Sequence, residues 1–344
     1  MSTYLQTKEN ITAGHFSSIY FFYGTEKYMM DDLVQQISRH ALEDTVRDFN
    51  FSQFDMRDVP VQEGIEEAET VSFFGPGRVI VFQHARFLTG AKDKDMPPHD
   101  LKRLESFLDD PPPENIVVFA VEEQKVDERK KIVKKLKGVG ETVEASPLQG
   151  DRLKQWIREK AKEENISLTA EASDELLGRS NSDLLTLEQE IRKCAQYVNF
   201  HGEIHAAIVR ALVPRSLEDN IFQLIDAVSD SYPAKALQLF DDLLRNGEEP
   251  IKIIALIGRQ FRLLNLAAEM DKRGYSQQKI ARQLGVPPFV AKRLSAKAKT
   301  VKGEAVGRAL SLIAETDYKM KQGAVEKKSG VALLIARLPR VLSA

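Results

Sequence analysis

Over roughly its first 145 residues the chain alternates short apolar runs with amphipathic segments, and this alternation narrows the possible folds more than any other feature. Ile19–Tyr23, Phe49–Phe54, Val79–Phe82, Ile116–Val121 and Thr142–Glu144 are rich in Val and Phe and too short for buried helices, so they read as strands. Between them Lys27–His40, Val61–Thr70, Asp100–Leu108 and Asp127–Lys137 carry helical spacing. Strands separated by helices imply a mostly parallel sheet covered by those helices. Pro111-Pro112-Pro113 ends the third helix, since three prolines cannot continue it. The charged, proline-bearing stretch 91–99 reads as a surface loop.

The first strand-to-helix turn carries a telling absence. A nucleotide-hydrolysing chain of this layout would place GxxxxGK[ST] there, its backbone N–H groups cradling phosphates and its Lys and hydroxyl reaching the outer phosphates and magnesium. This chain has Gly24-Thr25-Glu26-Lys27-Tyr28-Met29 instead. There is no second Gly and no Lys-Ser/Thr pair, and Glu26 would repel phosphate. Acids at the end of a later strand are also needed to hold magnesium and orient water. Gln83-His84-Ala85 follows one central strand and Glu122-Glu123-Gln124 the other. Without a phosphate loop, the two Glu read as a solvated strand end rather than a metal site. ATPases of the AAA+ class also place an Arg after a Gly-Asp pair in their second domain; here the stretch is Ser182-Asp183-Leu184-Leu185, with no Arg. Three catalytic features are missing together.

After Ser146-Pro147 the pattern becomes helical. Asp151–Glu163 carries Leu153, Trp156, Ile157 and Ala161 on one face. Thr169 and Asp183 read as N-caps of two further helices, and Ile204–Leu212 as a fourth, with no convincing strand from Leu148 to Val213. Beyond Pro214 every segment is helical, beginning with a cap at Ser216. The longest helix is predicted from Pro250 to Lys272, with a stripe of Ile254, Ile257, Phe261 and Leu264. Gly274, Gly285-Val286-Pro287-Pro288, Lys302-Gly303 and Ser329-Gly330 read as breaks. The expected division is therefore an αβ domain at 1–146, a small helical domain at 147–213 and a larger helical domain at 214–344.

Other chemistries find no support. The single cysteine, Cys194, excludes an internal disulfide and a cysteine-based metal cluster. His201 and His205 are four apart, but Gly202 lies between them and no acidic third ligand is suggested. No apolar stretch approaches the roughly 18 residues that span a membrane, and MSTYLQTKEN is not a secretory leader, so a cytoplasmic location is expected. The net charge of −2 hides a basic excess in 214–344 and an acidic one in 1–213. Such asymmetry accompanies nucleic-acid contact, mutual docking of subunits, or simply two differently solvated domains.

The sharpest positive signal is Val71-Ser72-Phe73-Phe74-Gly75-Pro76-Gly77-Arg78. Two adjacent phenylalanines sit at a predicted helix end, directly before a Gly-Pro-Gly turn. From the residues alone two readings stand. Both rings tuck under the sheet, or at least one projects and offers an anchor to a partner's apolar pocket.

The segments YFFYGTEKYMMDDLV, VSFFGPGRVIVF and VFAVEEQKVDERKKIVKKLK, followed by LLRNGEEPIKIIALIGRQFRLL, GYSQQKIARQLGVPPFVAKRL and ETDYKMKQG, occur in that order. Together they resemble the delta subunit of the bacterial DNA polymerase III clamp loader over nearly the whole chain. The resemblance implies an α/β plus all-α fold: an AAA+-like αβ domain without a functional P-loop, a small helical lid and a C-terminal helical collar for oligomerisation. It implies no ATP binding at Gly24, Thr25, Glu26 and Lys27, no cofactor, no metal and no catalytic residue. A nucleotidyltransferase label would belong to the polymerase holoenzyme and not to this chain. It implies that Ser72-Phe73-Phe74, with Val71 at the rim, inserts an apolar pair into a pocket on the β sliding clamp. Phe73 stands where some members have Leu. The other implied partners are the sister clamp-loader subunits in a hetero-oligomeric ring and primed DNA, contacted without sequence preference; no membrane partner is implied.

Two rival readings come from other classes. Gln278 to Leu294 resembles a helix-turn-helix DNA reader. However, Val290 is five residues after Gly285 where six is usual, and prolines occupy the start of the second helix. The basic segment 292–302 is a candidate DNA contact, with a solvated face as its plainer reading. The other rival is a working AAA+ ATPase with a degenerate loop.

Overall fold

The computed structural model describes residues 2–73, 75, 77–91, 96–180, 182–286, 288–299 and 303–343, with backbone alone at 288–289. The chain forms two compact units, Met1–Pro147 and Leu148–Ala344.

The first unit contains α1 (Tyr4–Thr12), β1 (Ile19–Gly24), α2 (Lys27–Ala41), α3 (Arg47–Asn50), β2 (Phe51–Asp55), α4 (Val61–Glu69), β3 (Val79–Gln83), α5 (Leu101–Phe107), β4 (Ile116–Val121), α6 (Lys131–Val139) and β5 (Glu141–Ala145). The strands form one parallel sheet in the order β2-β3-β4-β1-β5. Every residue of β1 and β4 is buried, as expected of parallel strands with helices on both faces. Ile19, Phe21, Ile80, Phe82, Val117 and Phe119 meet the apolar stripes of α4, α5 and α6. Phe82 stacks on Phe119 with ring centroids 4.8 Å apart. Offset stacking of this kind contributes about 0.5–1.5 kcal/mol beyond the area buried. Helices α1 and α2 belong to the opposite face, where the Tyr4 hydroxyl donates to Asp32 and Lys8 lies 3.2 Å from the same carboxylate.

In this unit one helix and two element starts depart from the sequence reading by more than a residue. Helix α1 was not foreseen, although Thr3 and Gln6 form a capping box at its start. The strand predicted from Phe49 begins at Phe51, because 47–50 make one helical turn, with the Arg47 guanidinium donating to the carbonyls of Ser38 (3.3 Å) and Leu42 (3.4 Å). The helix predicted from Asp127 begins at Lys131. The Asp127 carboxylate instead accepts from the Arg129 backbone (3.1 Å) and Nε (2.9 Å), which makes a local turn. Within 91–99 the described residues lie in no helix or strand; 92–95 lie outside the described residues.

The second unit contains α7 (Asp151–Glu163), β6 (Ile166–Leu168), α8 (Ala170–Arg179), α9 (Leu184–Tyr197), β7 (Gly202–Ile204), α10 (Ala206–Leu212), α11 (Leu217–Ser229), α12 (Pro233–Arg245), α13 (Pro250–Lys272), α14 (Gln277–Leu284), α15 (Pro288–Ala298), α16 (Gly303–Lys321) and α17 (Lys327–Ser343). Thr169, Asp183 and Ser216 accept from Ala172, Thr186 and Asp219 backbone N–H groups respectively, so the cap residues start their helices as read. Two expectations are corrected here. The segment before Val213 does contain strands: β6 and β7 form a short parallel ribbon, so the fourth helix starts at Ala206 rather than Ile204. Each is three residues long, and its partner is distant in sequence, so no local periodicity reports it. Ser329-Gly330 is not a break but part of α17, where a Cβ at Gly330 would lie 2.9 Å from Met320 Cγ. That glycine permits close helix packing. Helix α13 spans the predicted residues, and Ile254, Ile257, Phe261 and Leu264 are buried in a core shared with α11, α12 and α14 to α17.

Candidate functional site

Ligands of open parallel sheets bind at the carboxyl ends of the strands, where strand order reverses. In this chain the polar groups at those strand ends pair with one another. Gly24 leaves β1 with φ +146, and a Cβ there would fall 2.1 Å from the Ala145 carbonyl oxygen. The Glu26 N–H donates to that carbonyl at 2.9 Å, and the Met29 N–H donates to Glu26 O at 3.2 Å. These amides face protein acceptors and not a phosphate. Lys27 Nζ lies 2.6 Å from Glu122 Oε1 and 3.7 Å from Asp31 Oδ2. Its hydrogen bond to Glu122 raises the ammonium pKa, while burial raises that of Asp31. His84, at φ +54, lies between Asp55 (3.2 Å) and Glu122 (3.4 Å). Arg57 hydrogen-bonds Asp55 and holds its carboxyl down to about 2. The Glu122 considered as a metal ligand is thus shared by Lys27 and His84, and Glu123 by Arg86 at 3.3 Å. Among the described residues no group of three His, Cys, Asp or Glu side chains is arranged to hold a metal.

At the connection between α4 and β3 the structure places the aromatic element. Helix α4 ends at Glu69, so the element lies in a loop beyond the helix rather than at its last turn. Val71 is 80% and Phe73 89% exposed, which removes the reading that both rings are core. Phe74 and Pro76 lie outside the described residues. Ser72 is half-buried, and its hydroxyl donates to Asn50 Oδ1 at 2.8 Å. Gly77 has φ +81, and a Cβ on it would meet the Glu114 carbonyl oxygen at 2.5 Å, so only glycine fits where the loop re-enters the sheet.

The feet of this loop are tied by residues that sequence reasoning missed. Asn115, 3% exposed, donates from Nδ2 to Ala68 O at 2.7 Å and accepts at Oδ1 from the Arg78 N–H at 2.8 Å. Arg78 also pairs with Glu67 at 3.2 Å. Next to the buried Asn50, Phe49 is 60% exposed on α3 and adds apolar surface that had been assigned to a strand. The only sequence hint of the Asn115 role is an isolated polar residue just before a fully apolar strand.

In the second unit α14 ends at the αL residue Gly285 and α15 follows from Pro288, with Pro287 outside the described residues. Three cations in and just after α15 pair with carboxylates of the same unit. Arg293 bridges Asp219 (3.0 Å) and Asp226 (2.8 Å) on α11 and lies over the Phe222 ring at 4.8 Å. Lys297 pairs with Asp226 and Asp230, and Lys299 with Asp271. Within the basic segment 292–302, residues 300–302 lie outside the described residues. His201 Nδ1 lies 2.7 Å from the Asn199 carbonyl oxygen, and His205 precedes α10, 3.8 Å from Glu203.

A unit built on a parallel five-stranded sheet, with an aromatic-bearing loop between α4 and β3, and a second, mostly helical unit make up an α/β plus all-α architecture. Comparison with known proteins agrees. The family profile for the DNA polymerase III delta subunit matches residues 20–146, and that for the delta subunit's C-terminal domain matches residues 218–338. The DNA polymerase III subunit delta of Bacillus subtilis (strain 168) is 34% identical over 330 residues, 96% of this chain and 95% of that protein. A probable subunit delta of Aquifex aeolicus (strain VF5) is 21% identical over 78% of this chain and 75% of its own. A solved DNA clamp loader delta protein of Bacillus subtilis, 34% identical, superposes with a TM-score of 0.77 over 98% of this chain and 99% of that one. This chain belongs to the DNA polymerase III delta subunit family, the delta proteins of the clamp loader.

Proposed function

We propose that this chain is the clamp-loader subunit that grips the β sliding clamp through the loop 71–74 and helps open it for loading onto primed DNA. The observation that carries this reading is Phe73, a large apolar side chain 89% exposed on a loop with tethered feet. Phe74 would enter the same pocket, Val71 would cover the rim, and Ser72 would set the base of the loop. Gripping the clamp can open it only as far as the open or strained ring binds better than the closed one. The chain would contribute no catalytic step and need no cofactor, so polymerase and nucleotidyltransferase activity would reside in the holoenzyme. Residues 147–213 would serve as a lid and 214–344 as a collar holding this subunit among its sisters in a hetero-oligomeric ring. Primed DNA would be contacted through phosphates without sequence preference. Such an assembly works in the cytoplasm. The internal pairing of Arg293, Lys297 and Lys299 counts against a sequence-specific DNA reader.

The test is binding of the isolated chain to its cognate clamp without ATP. An aromatic anchor typically costs about 2–4 kcal/mol when truncated, so Phe73→Ala/Phe74→Ala should weaken binding roughly 30-fold to 1,000-fold. Equal binding by a folded double variant would place the contact elsewhere, and no binding by the wild type would remove the clamp reading.

A further inference from the structure

We infer that Asn115 is a positioning residue for the projecting loop, acting with Asn50 and Glu67 to hold Val71 and Phe73 in the geometry that a partner's pocket receives. This inference rests on the clamp-docking reading above. The side chain of Asn115 spans the two feet of the loop. One foot is Ala68, near the end of α4, whose carbonyl needs a donor. The other is Arg78, just before β3, whose N–H needs an acceptor. The side-chain amide offers a donor and an acceptor on separate atoms, and only one orientation of it satisfies both partners. The Arg78 carbonyl accepts from Ile116 N–H at 2.8 Å, which continues the tie into the ladder between β3 and β4. Two weaker ties act beside it: the Glu67–Arg78 ion pair and the Ser72–Asn50 hydrogen bond.

The physical need is clear from the loop's composition. Gly75 and Gly77 both have positive φ, and glycine-bearing loops lose the most conformational freedom when ordered. An untied loop would present its aromatic side chain correctly only part of the time, and apparent affinity falls by that fraction. Asn50 and Asn115 are 1% and 3% exposed, so neither can reach a partner; any effect of theirs on binding must pass through the loop.

The experiment measures association and dissociation rates of the full chain on immobilised β clamp, with hydrogen exchange of the free chain. Asn115→Ala removes two hydrogen bonds, each with a net contribution near one factor of ten or less, so a fall of about tenfold in association rate is expected. Dissociation should be unchanged, because the bound loop makes the same contacts. Amide exchange should rise in 69–78 and stay at wild-type levels in β1 and β4. Glu67→Gln, at a partly exposed pair, should shift the same quantities by about threefold and carries the test if Asn115→Ala does not fold. Unchanged loop exchange, or a faster loop that associates at the wild-type rate, overturns the inference. A change confined to dissociation also overturns it, since that would mark a lost contact. Phe73→Ala/Phe74→Ala is the control for the underlying reading and should speed dissociation. If that double variant binds normally, the docking reading fails and the positioning role falls with it; if only Asn115→Ala and Glu67→Gln bind normally, the positioning role alone fails.

Discussion

Gly24→Ala is the substitution by which the first turn most directly tests the structure. A phosphate-binding loop at such a turn uses glycine to bring its backbone to phosphate; here Gly24 has a different reason to remain. The new Cβ would sit 2.1 Å from Ala145 O and 2.5 Å from Ala145 C, both backbone atoms of the neighbouring strand. Backbone cannot swing aside, so β1 and β5 would have to part by about 1 Å from their usual spacing of about 4.8 Å. That displacement removes the Glu26 N–H···O=C Ala145 bond and the last pairing of the ladder, Gly24 with Ala145. A strained φ costs about 1–3 kcal/mol, overpacking about 1–3 and a hydrogen bond about 1. Together about 3–7 kcal/mol is expected, a large part of the stability of an ordinary domain. Trp156, the only tryptophan, lies in the second unit. Urea unfolding followed by far-UV circular dichroism should therefore shift in the component that tryptophan fluorescence does not follow. Gly138→Ala is the control: Gly138 lies in α6, a Cβ there would meet nothing within 4 Å, and Ala gains up to about 1 kcal/mol of helix propensity, so the net change should stay within about 1 kcal/mol. A Gly24→Ala protein within about 0.5 kcal/mol of wild type would refute the close-approach account.

Two further outcomes follow from the titrating groups. The Asp55 carboxyl, held by Arg57, has a folded-state pKa of about 2, against an ordinary 3.8. Its contribution is thus complete above about pH 4 and is lost as pH falls towards about 2. Because the pair faces solvent, less than about 1 kcal/mol is at stake, and Asp55→Asn should flatten the acid limb of the stability profile by that amount; superimposable profiles would contradict it. Burial pushes the Cys194 thiol up to about 11, so a disulfide reagent near pH 8 should label it only as the second unit unfolds. Labelling on mixing with native protein would show that the thiol is accessible.

The αβ plan, the helical remainder and the lack of a phosphate loop were all legible in the residue order, because each is written in local signals. Ile116–Val121 and Pro250–Lys272 announced themselves by uninterrupted apolar content and by a wide apolar stripe. Thr169, Asp183 and Ser216 did so by capping chemistry that reaches only three residues along the chain. The aromatic loop was visible as a motif, but its exposure was not: Phe73 could equally have been core until α4 was seen to end at Glu69. The short ribbon of β6 and β7 escaped because its pairing joins distant segments. Gly330 misled because a glycine that admits a neighbouring helix looks the same in sequence as one that stops its own. The same holds for the groups that pair at the strand ends and brace the loop. Lys27 meets Glu122, Ser72 meets Asn50 and Asn115 meets both Ala68 and Arg78 across long stretches of chain. Apolar pattern and caps act within a few residues and so survive in a linear reading, whereas hydrogen bonds between distant side chains exist only once packing has brought them within about 3 Å.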